Sequence, residues 1–144
     1  LDVHQGNGTA VLCREDEETF TFSVHSESNY PARKERSSWD IGLPDGTTDE
    51  QYLEVIASAL PQLLEQFNPE VILYQAGVDV LAGDRFGKLA LTMSGVAERD
   101  RAVSTFARRA GIPLVVTLGG GYARDISQIV EAHCQTVKIA SQHS

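Results

Sequence analysis

The sequence predicts an α/β fold built on a parallel sheet, and two observations lead to this prediction. Residues 71–77 (VILYQAG) and 113–121 (PLVVTLGGG) are short apolar runs that end in glycine. Runs that are apolar on both faces are typical of central parallel strands covered by helices. Segments with helical periodicity separate these runs, and such alternation of strands and helices is typical of a parallel sheet with crossover helices.

Two further segments are candidate strands. Residues 19–25 (TFTFSVH) are rich in β-branched and aromatic side chains, which favour a strand. Residues 1–4 (LDVH) are expected to form the carboxyl end of a fourth strand, before a glycine-rich turn. Residues 26–46 contain two prolines and a mixed charge cluster, so we expect a long loop there. Loops of that length inside a compact domain are usually functional.

Three helices are predicted between and after the strands. Residues 47–67 carry an apolar face, and Thr48 with Gln51 three residues later fits a capping box at the start of this helix. Pro61 should kink this helix or begin a second piece. Residues 94–111 form the next helix, for which Gly111 is the expected stop. A last helix is expected over about residues 125–140.

Composition sets limits on the class of protein. The 144 residues suffice for one domain, or a large piece of one, and 42% hydrophobic with 22% charged residues is ordinary for a globular protein. The net charge of −8 argues against nucleic acid or an anionic membrane surface as direct partners and favours a cationic ligand. Cys13 and Cys134 lack CxxC spacing, so we expect reduced thiols in a cytoplasmic protein. No apolar run has the length of a membrane span.

Polar side chains at the predicted strand ends form a candidate metal site. Asp2 and His4 are two residues apart, so on a strand they point to the same face, and Asp79 follows another strand. Ligands of open parallel sheets bind beyond the carboxyl ends of the strands, where these groups would meet. Two carboxylates and an imidazole suit a divalent ion with an open position. Plainer readings remain open: a chance Asp-x-His pair, a helix cap at Asp79, and a tight strand exit at the glycines before Tyr122.

The motifs DVHQGNGT, YQAGVDVLAGDRFGKLALT and LGGGY occur in the order and spacing of the zinc-dependent histone deacetylase family. The chain resembles this family over essentially its whole length, in particular its short bacterial and class IV members. The family also includes acetylpolyamine amidohydrolases and acetoin-utilisation proteins. The resemblance implies a three-layer parallel sheet of the arginase/deacetylase type, incomplete on its amino-terminal side.

Roles for individual residues follow from this resemblance. It implies that Asp2, His4 and Asp79 ligate zinc and that Tyr122 donates a hydrogen bond to the oxyanion. It also implies a substrate tunnel and a second cation site. The tunnel would involve Tyr30 as an aromatic wall and Gly119, Gly120 and Gly121 as close-approach backbone. Ser23 and Val24, with the backbone of the ligand segment, match the family's monovalent-cation site, which potassium would occupy.

The reaction implied is hydrolysis of an acetyl-lysine-type or other acetyl-amide bond, on an acetylated protein or a small molecule. The family takes its general base from a tandem histidine pair upstream of the DVH motif. The histidines here, His4, His25, His133 and His143, include no tandem pair. We therefore expect a chain that corresponds to the carboxyl-terminal part of a deacetylase domain, residues 1–144, without its general base.

Other interpretations remain open beside a poorly active or inactive deacetylase fragment. The chain is alternatively a non-catalytic, deacetylase-like domain that serves assembly or ligand binding. An incomplete sheet would expose an edge and an apolar patch, and such surfaces favour a homodimer. A third interpretation is that the chain is part of a longer, active protein.

Overall fold

A computed structural model describes residues 1–142 and confirms an α/β arrangement with parallel strands. The elements in chain order are α1 (Asn7–Leu12), β1 (Phe22–Ser26), β2 (Trp39–Leu43), α2 (Asp49–Phe67), β3 (Ile72–Gly77), α3 (Met93–Ala110), β4 (Leu114–Gly119) and α4 (Ile126–Gln142). The strands form two parallel pairs. β1 pairs with β2 from Phe22 opposite Trp39, and β3 pairs with β4 from Ile72 opposite Leu114.

The first residues of the chain lie between the two strand pairs, but they do not form the predicted fourth strand. On one side the Leu1 nitrogen donates to Gln75 O at 3.0 Å, and on the other Ser26 N donates to Val3 O at 3.0 Å. The strand prediction for residues 1–4 is wrong because the intervening backbone donors are used by side chains. Val3 N donates to an Asp79 carboxylate oxygen, and His4 N donates to one of Asp2.

Two elements were missing from the predicted organisation. Residues 26–46 are not one loop, because β2 lies within them and extends the sheet beside β1. The glycine-rich turn after His4 leads into the six-residue helix α1, in which Ala10 is the one buried residue. The third difference is minor: β1 begins at Phe22 rather than at residue 19, and Thr21 N donates instead to the Ser38 hydroxyl.

The three long helices agree with the sequence pattern at their ends. α2 begins after Thr48, whose N–H donates to the Gln51 side chain at 3.1 Å, and α3 ends at Gly111 in the left-handed conformation. Pro61 does not begin a second helix: α2 runs through it without interruption. A proline removes one helical N–H donor, and the buried Ile56 and Leu60 anchor this part of the helix in the core. Within residues 1–142, no helix is both long and apolar enough to cross a membrane.

The β3–β4 pair is covered on one face. Tyr74 and Ala76 of β3 point into the core and are 4% and 0% exposed. Leu73 and Val115 point to the other face of the strand pair, where they are neighbours across the two strands. They are 74% and 47% exposed. α2, α3 and α4 pack in sequence against one another, and α4 also contacts β4. One face of this strand pair is therefore an accessible apolar surface.

Burial predicts which of two isoleucines stabilises the fold. We expect Ile56→Ala, in the fully buried centre of α2, to lower the free energy of unfolding by about 2–5 kcal/mol through lost burial and a residual cavity. Ile126→Ala removes the same atoms from a side chain that is 74% exposed, and we expect a change within about 0.5 kcal/mol. Urea unfolding of both variants measures the difference, and equal costs would contradict this assignment of the core.

Candidate metal centre

Asp2, His4 and Asp79 converge as the sequence predicts, and one candidate ligand atom from each lies within 4.8 Å of the others. The His4 Nδ1 atom faces both carboxylates. It lies 2.9 Å from Asp2 Oδ1 and 3.2 Å from Asp79 Oδ2. Asp79 is fully buried, whereas Asp2 and His4 are partly accessible. The cluster therefore has a buried floor and an accessible side.

Backbone hydrogen bonds hold the two ligand segments together. Val3 N, between Asp2 and His4, donates to Asp79 Oδ1 at 2.9 Å in a buried position. His4 N donates to Asp2 Oδ1 at 2.8 Å, so the backbone of residues 2–4 turns towards the Asp2 carboxylate. Because one oxygen of Asp79 is engaged by the neighbouring segment, its second oxygen is directed towards His4.

The electrostatics of the cluster favour a cation. Burial, and next the adjacent Asp2 carboxylate, raise the pKa of Asp79 to about 7. Two close carboxylates in a desolvated position repel each other unless a proton or a metal ion lies between them. Asp79 Oδ2 is also a buried oxygen without a hydrogen-bond partner among the described residues.

These observations fit a bound divalent ion. An unpartnered buried carboxylate oxygen requires a physical explanation, and coordination of an ion is one. The donor set of two carboxylate oxygens and one imidazole nitrogen matches the oxygen and nitrogen ligands of catalytic zinc sites, which keep one position open. The residues present therefore fit the zinc that the resemblance implies, although no metal is part of the structure.

The glycine turn after β4 packs directly against this cluster. A Cβ atom at Gly120 would collide with the Asp79 carboxylate, and the residue has a φ of 61°, so glycine is required there on both grounds. Gly119 lies against the amide of Gln75, and Gly121 lies against Val78 and Ile129. The close approach seen at these three glycines is thus to protein side chains, and their contact with substrate stays a prediction.

Tyr122 lies beside His4, with ring centroids 6.5 Å apart. Its backbone N–H donates to Asp84 Oδ2 at 2.6 Å, while the other oxygen of Asp84 accepts from Phe86 N and Gly87 N. The Phe86 ring packs edge-on against Tyr122 at 5.1 Å. Burial and the charge of Asp79 raise the pKa of Tyr122, so its phenol stays protonated at neutral pH and is able to donate a hydrogen bond.

Tyr30 lies on another side of His4, at a centroid distance of 6.4 Å, and is 67% exposed. Its segment is anchored to the site by amides. The Gln5 side chain donates to Glu35 O and Asp40 Oδ1, and the Asn29 side chain donates to Phe86 O. The position of Tyr30 agrees with an aromatic wall next to the metal ligands, and its contact with substrate stays a prediction.

Ser23 and Val24 are buried in β1. This strand is joined to the segment that carries Asp2 and His4 by a hydrogen bond from Ser26 N to Val3 O. The Ser23 hydroxyl is 2.9 Å from His25 Nδ1, so one polar group expected to face a cation is engaged within its own strand. The monovalent-cation site stays a prediction.

Burial lowers the pKa of His25, which is therefore neutral at physiological pH. Of the other two histidines, His133 lies on α4 and His143 lies outside the described residues.

Three residues that contact the candidate site were not singled out from the sequence. Asp84 accepts a hydrogen bond from Tyr122 N, and Gln5 donates one to Glu35 O in the segment that carries Tyr30. Arg99 donates to Leu1 O and Gly77 O, next to the residues that carry the candidate ligands. The signal for Asp84 was its place in the AGDRFG motif, directly after Gly83 and three residues before Gly87. Gln5 directly follows the ligand pair. Arg99 lies among charged residues of a helix and carries no sequence signal of its own.

Comparison with known proteins agrees with this geometry. The profile of the histone deacetylase domain matches residues 1–137. The computed structure superposes on the crystal structure of the HDA15 HD domain with a TM-score of 0.77, covering 97% of this chain and 43% of that one, at 22% sequence identity. This likeness shows the fold, which is consistent with an incomplete arginase/deacetylase architecture.

Curated relatives share the sequence at higher identity. An uncharacterized protein of Picosynechococcus sp. is 47% identical over 133 residues, which is 92% of this chain and 44% of the relative. Histone deacetylase 2 of Arabidopsis thaliana is 32% identical over 133 residues, or 90% of this chain and 34% of the relative. The chain thus spans less than half the length of these relatives. With a profile match over nearly all of its residues, the chain belongs to the histone deacetylase family.

Proposed function

We propose that this chain carries the zinc-binding and oxyanion-stabilising part of an amidohydrolase that acts on acetyl-lysine-type or other acetyl-amide substrates. The observation that carries the proposal is the convergence of Asp2, His4 and a buried, unpartnered oxygen of Asp79 beside the phenol of Tyr122. Family membership supports deacetylase-like chemistry. The proposed roles of individual residues are those that the family resemblance implies, and the convergence of these side chains supports them.

In this proposal Asp2, His4 and Asp79 hold the metal. When bound, a zinc ion supplies Lewis acidity towards the carbonyl oxygen of the substrate. The protein contributes fixed ligands: Val3 N and His4 N orient the two carboxylates, so few groups rearrange as the ion enters. The accessible sides of Asp2 and His4 leave room for a substrate at the open position.

Tyr122 is the proposed hydrogen-bond donor to the oxygen that becomes negatively charged. Its protonated phenol suits this role, because the raised pKa keeps the proton on the oxygen at neutral pH. A preorganised donor of this kind is typically worth about 3–4 kcal/mol of transition-state stabilisation. Asp84 places the Tyr122 backbone, and packing against Phe86 limits the rotation of the ring.

The proposed substrate class is the one that the family resemblance implies, and the surroundings of His4 are compatible with it. Tyr30 and Tyr122 both present aromatic rings next to this imidazole, and an alkyl stem ending in an acetyl amide would pass between such rings. The net charge of −8 favours a cationic carrier, either an acetylated protein or a small acetylated amine. We propose a cytoplasmic location because Cys13 and Cys134 lack CxxC spacing and are free thiols. The same net charge argues against a direct nucleic-acid or anionic membrane partner.

The general base is the part of the mechanism that we propose this chain lacks. A base must lie within hydrogen-bond reach of the attacking water. His4 is a proposed ligand, and the His25 ring is buried against the Ser23 hydroxyl. His133 lies on α4, and the sequence contains no tandem histidine pair of the kind from which the family takes its base. We therefore propose that residues 1–144 alone turn over substrate poorly or not at all.

A second candidate function is assembly without catalysis. The observation that favours it is the accessible face of the β3–β4 pair, where Leu73 and Val115 lie opposite each other and are 74% and 47% exposed. Clustered apolar surface of this kind favours association. We propose that a second copy of the chain covers this face, which would give a homodimer.

We expect the purified chain to bind one zinc ion, and Asp79→Ala to weaken binding by more than the roughly 10–100-fold that outer-shell changes cost. The variant removes one of three proposed ligands and its unpartnered oxygen. Metal content after equilibrium dialysis at fixed free zinc measures the effect. Glu54→Gln, which removes one exposed carboxylate from α2, is the control. Zinc retained in Asp79→Ala would contradict the assignment.

We expect hydrolysis of a fluorogenic acetyl-lysine peptide by this chain to stay near background and close to that by its Tyr122→Phe variant, because without a general base turnover is too slow for the oxyanion donor to raise it measurably. The assay is run with zinc present and again after chelation. Zinc-dependent turnover well above the Tyr122→Phe level would show that a base is present. His25→Asn and His133→Asn would then identify which histidine supplies it.

For the assembly proposal, we expect sedimentation velocity to show a dimer fraction that rises with concentration and falls in Leu73→Lys, which places a charge on the apolar face. Val130→Lys places the same charge on an exposed position of α4 and should leave the equilibrium unchanged. A clean monomer at high concentration would exclude self-association through this face.

A further inference from the structure

Arg99 is a fully buried arginine on α3 that contacts both ligand-bearing segments. Its Nη1 atom donates to Leu1 O at 3.0 Å and to Gly77 O at 2.6 Å. Leu1 directly precedes Asp2, and Gly77 is two residues before Asp79. One guanidinium nitrogen thus joins two backbone segments 76 residues apart, immediately behind the groups that converge at the proposed metal centre.

A second group of contacts fixes the guanidinium itself. Its Nε donates to Asp100 Oδ1 at 2.9 Å, and the guanidinium carbon lies 5.8 Å from the centroid of the Tyr74 ring. Asp100 is buried too and accepts hydrogen bonds from the Tyr74 hydroxyl at 2.5 Å and from the Thr136 hydroxyl at 2.6 Å. The arginine is therefore held by groups from α3, β3 and α4, so its position is set by the core of the domain.

A structural role alone does not require this arrangement. Buried ion pairs are often replaceable by apolar residues of similar volume without loss of stability, because desolvation offsets most of their attraction. An apolar pair would fill the space but would leave two carbonyls, Leu1 O and Gly77 O, unbridged. Residues 1–4 form no strand, so their position relative to β3 depends on individual contacts such as this one.

We propose that Arg99, oriented by Asp100, is a positioning residue for metal binding: it sets the distance between the Asp2–His4 segment and Asp79. Metal affinity is sensitive to that distance because the ligands come from separate segments. Outer-shell contacts of this kind are typically worth about 10–100-fold in metal affinity. The inference rests on the proposed function, since it assumes that these residues bind zinc.

The test compares zinc affinities of folded variants by competition with a chromophoric chelator. Arg99→Met combined with Asp100→Asn removes the bridge without leaving a lone buried charge. Arg99→Lys keeps the charge but loses the planar fork of donors. Thr136→Val is the matched control, because it removes a buried hydrogen bond to Asp100 but no contact with either ligand segment. Thermal unfolding without metal ranks the stability of all variants.

We expect both Arg99 variants to bind zinc about 10–100-fold more weakly than the parent and Thr136→Val to bind within about threefold, even where its stability loss is similar. We also expect the visible spectrum of bound Co²⁺ to change in the Arg99 variants and not in the control. Where an Arg99 variant unfolds without metal, circular dichroism follows its folding during zinc titration. Folding only at zinc concentrations at least tenfold above those that saturate the parent would support the proposal.

The outcomes separate this inference from the proposed function. Parent-like zinc affinity and Co²⁺ spectra in the Arg99 variants, or folding at the zinc concentration that saturates the parent, would overturn the role of Arg99 and leave the metal centre intact. Equal losses in the Arg99 variants and Thr136→Val would overturn it as well, since the effect would then be one of stability. A parent chain that binds no zinc would overturn both proposals.

Discussion

The buried pair of Arg99 and Asp100 is the interaction on which the two halves of the candidate site depend. An isolated charge in a protein core costs several kcal/mol, so the guanidinium requires its carboxylate and its backbone acceptors. Two of those acceptors, Leu1 O and Gly77 O, belong to the segments that present the candidate ligands. The hydrogen bonds that compensate the buried charge of Arg99 therefore also fix the relative position of the two segments that carry the candidate ligands.

Two buried carboxylates, Asp100 and Asp79, differ in how far their negative charge is compensated by neighbouring groups. Asp100 accepts hydrogen bonds on both oxygens and pairs with an arginine. Within residues 1–142, Asp79 has one hydrogen-bonded oxygen, and its other oxygen accepts no hydrogen bond but lies 3.2 Å from His4 Nδ1. The pKa of Asp79, raised by burial and by Asp2, expresses the same imbalance. A fold that satisfies one buried carboxylate so fully and leaves another incomplete is typical of a place where function, rather than stability, has determined the residues.

Sequence patterns predicted the elements with strong local signals and missed those that depend on distant contacts. β3, β4, α2 and α3 have apolar runs or caps. Asp2, His4 and Asp79 converge as predicted, although residues 1–4 do not form the strand on which that prediction was based. β2 was missed because its five residues alternate instead of forming an apolar run, although Trp39, Ile41 and Leu43 show the period of two. Arg99 was unpredictable because its neighbours Glu98 and Arg101 are exposed, and charged residues at such spacing indicate a solvent-facing surface.

Metal binding and proton transfer are separable in this architecture. The three candidate ligands, the donors that orient them and the Arg99–Asp100 pair behind them all lie within one 100-residue stretch of this chain. Their geometry depends on contacts among residues 1–4, β3 and α3. We propose that a general base acts from the accessible side of Asp2 and His4, whereas the Arg99 contacts lie on the core side. The residues that orient the candidate ligands are then separate from the residue that would supply the base.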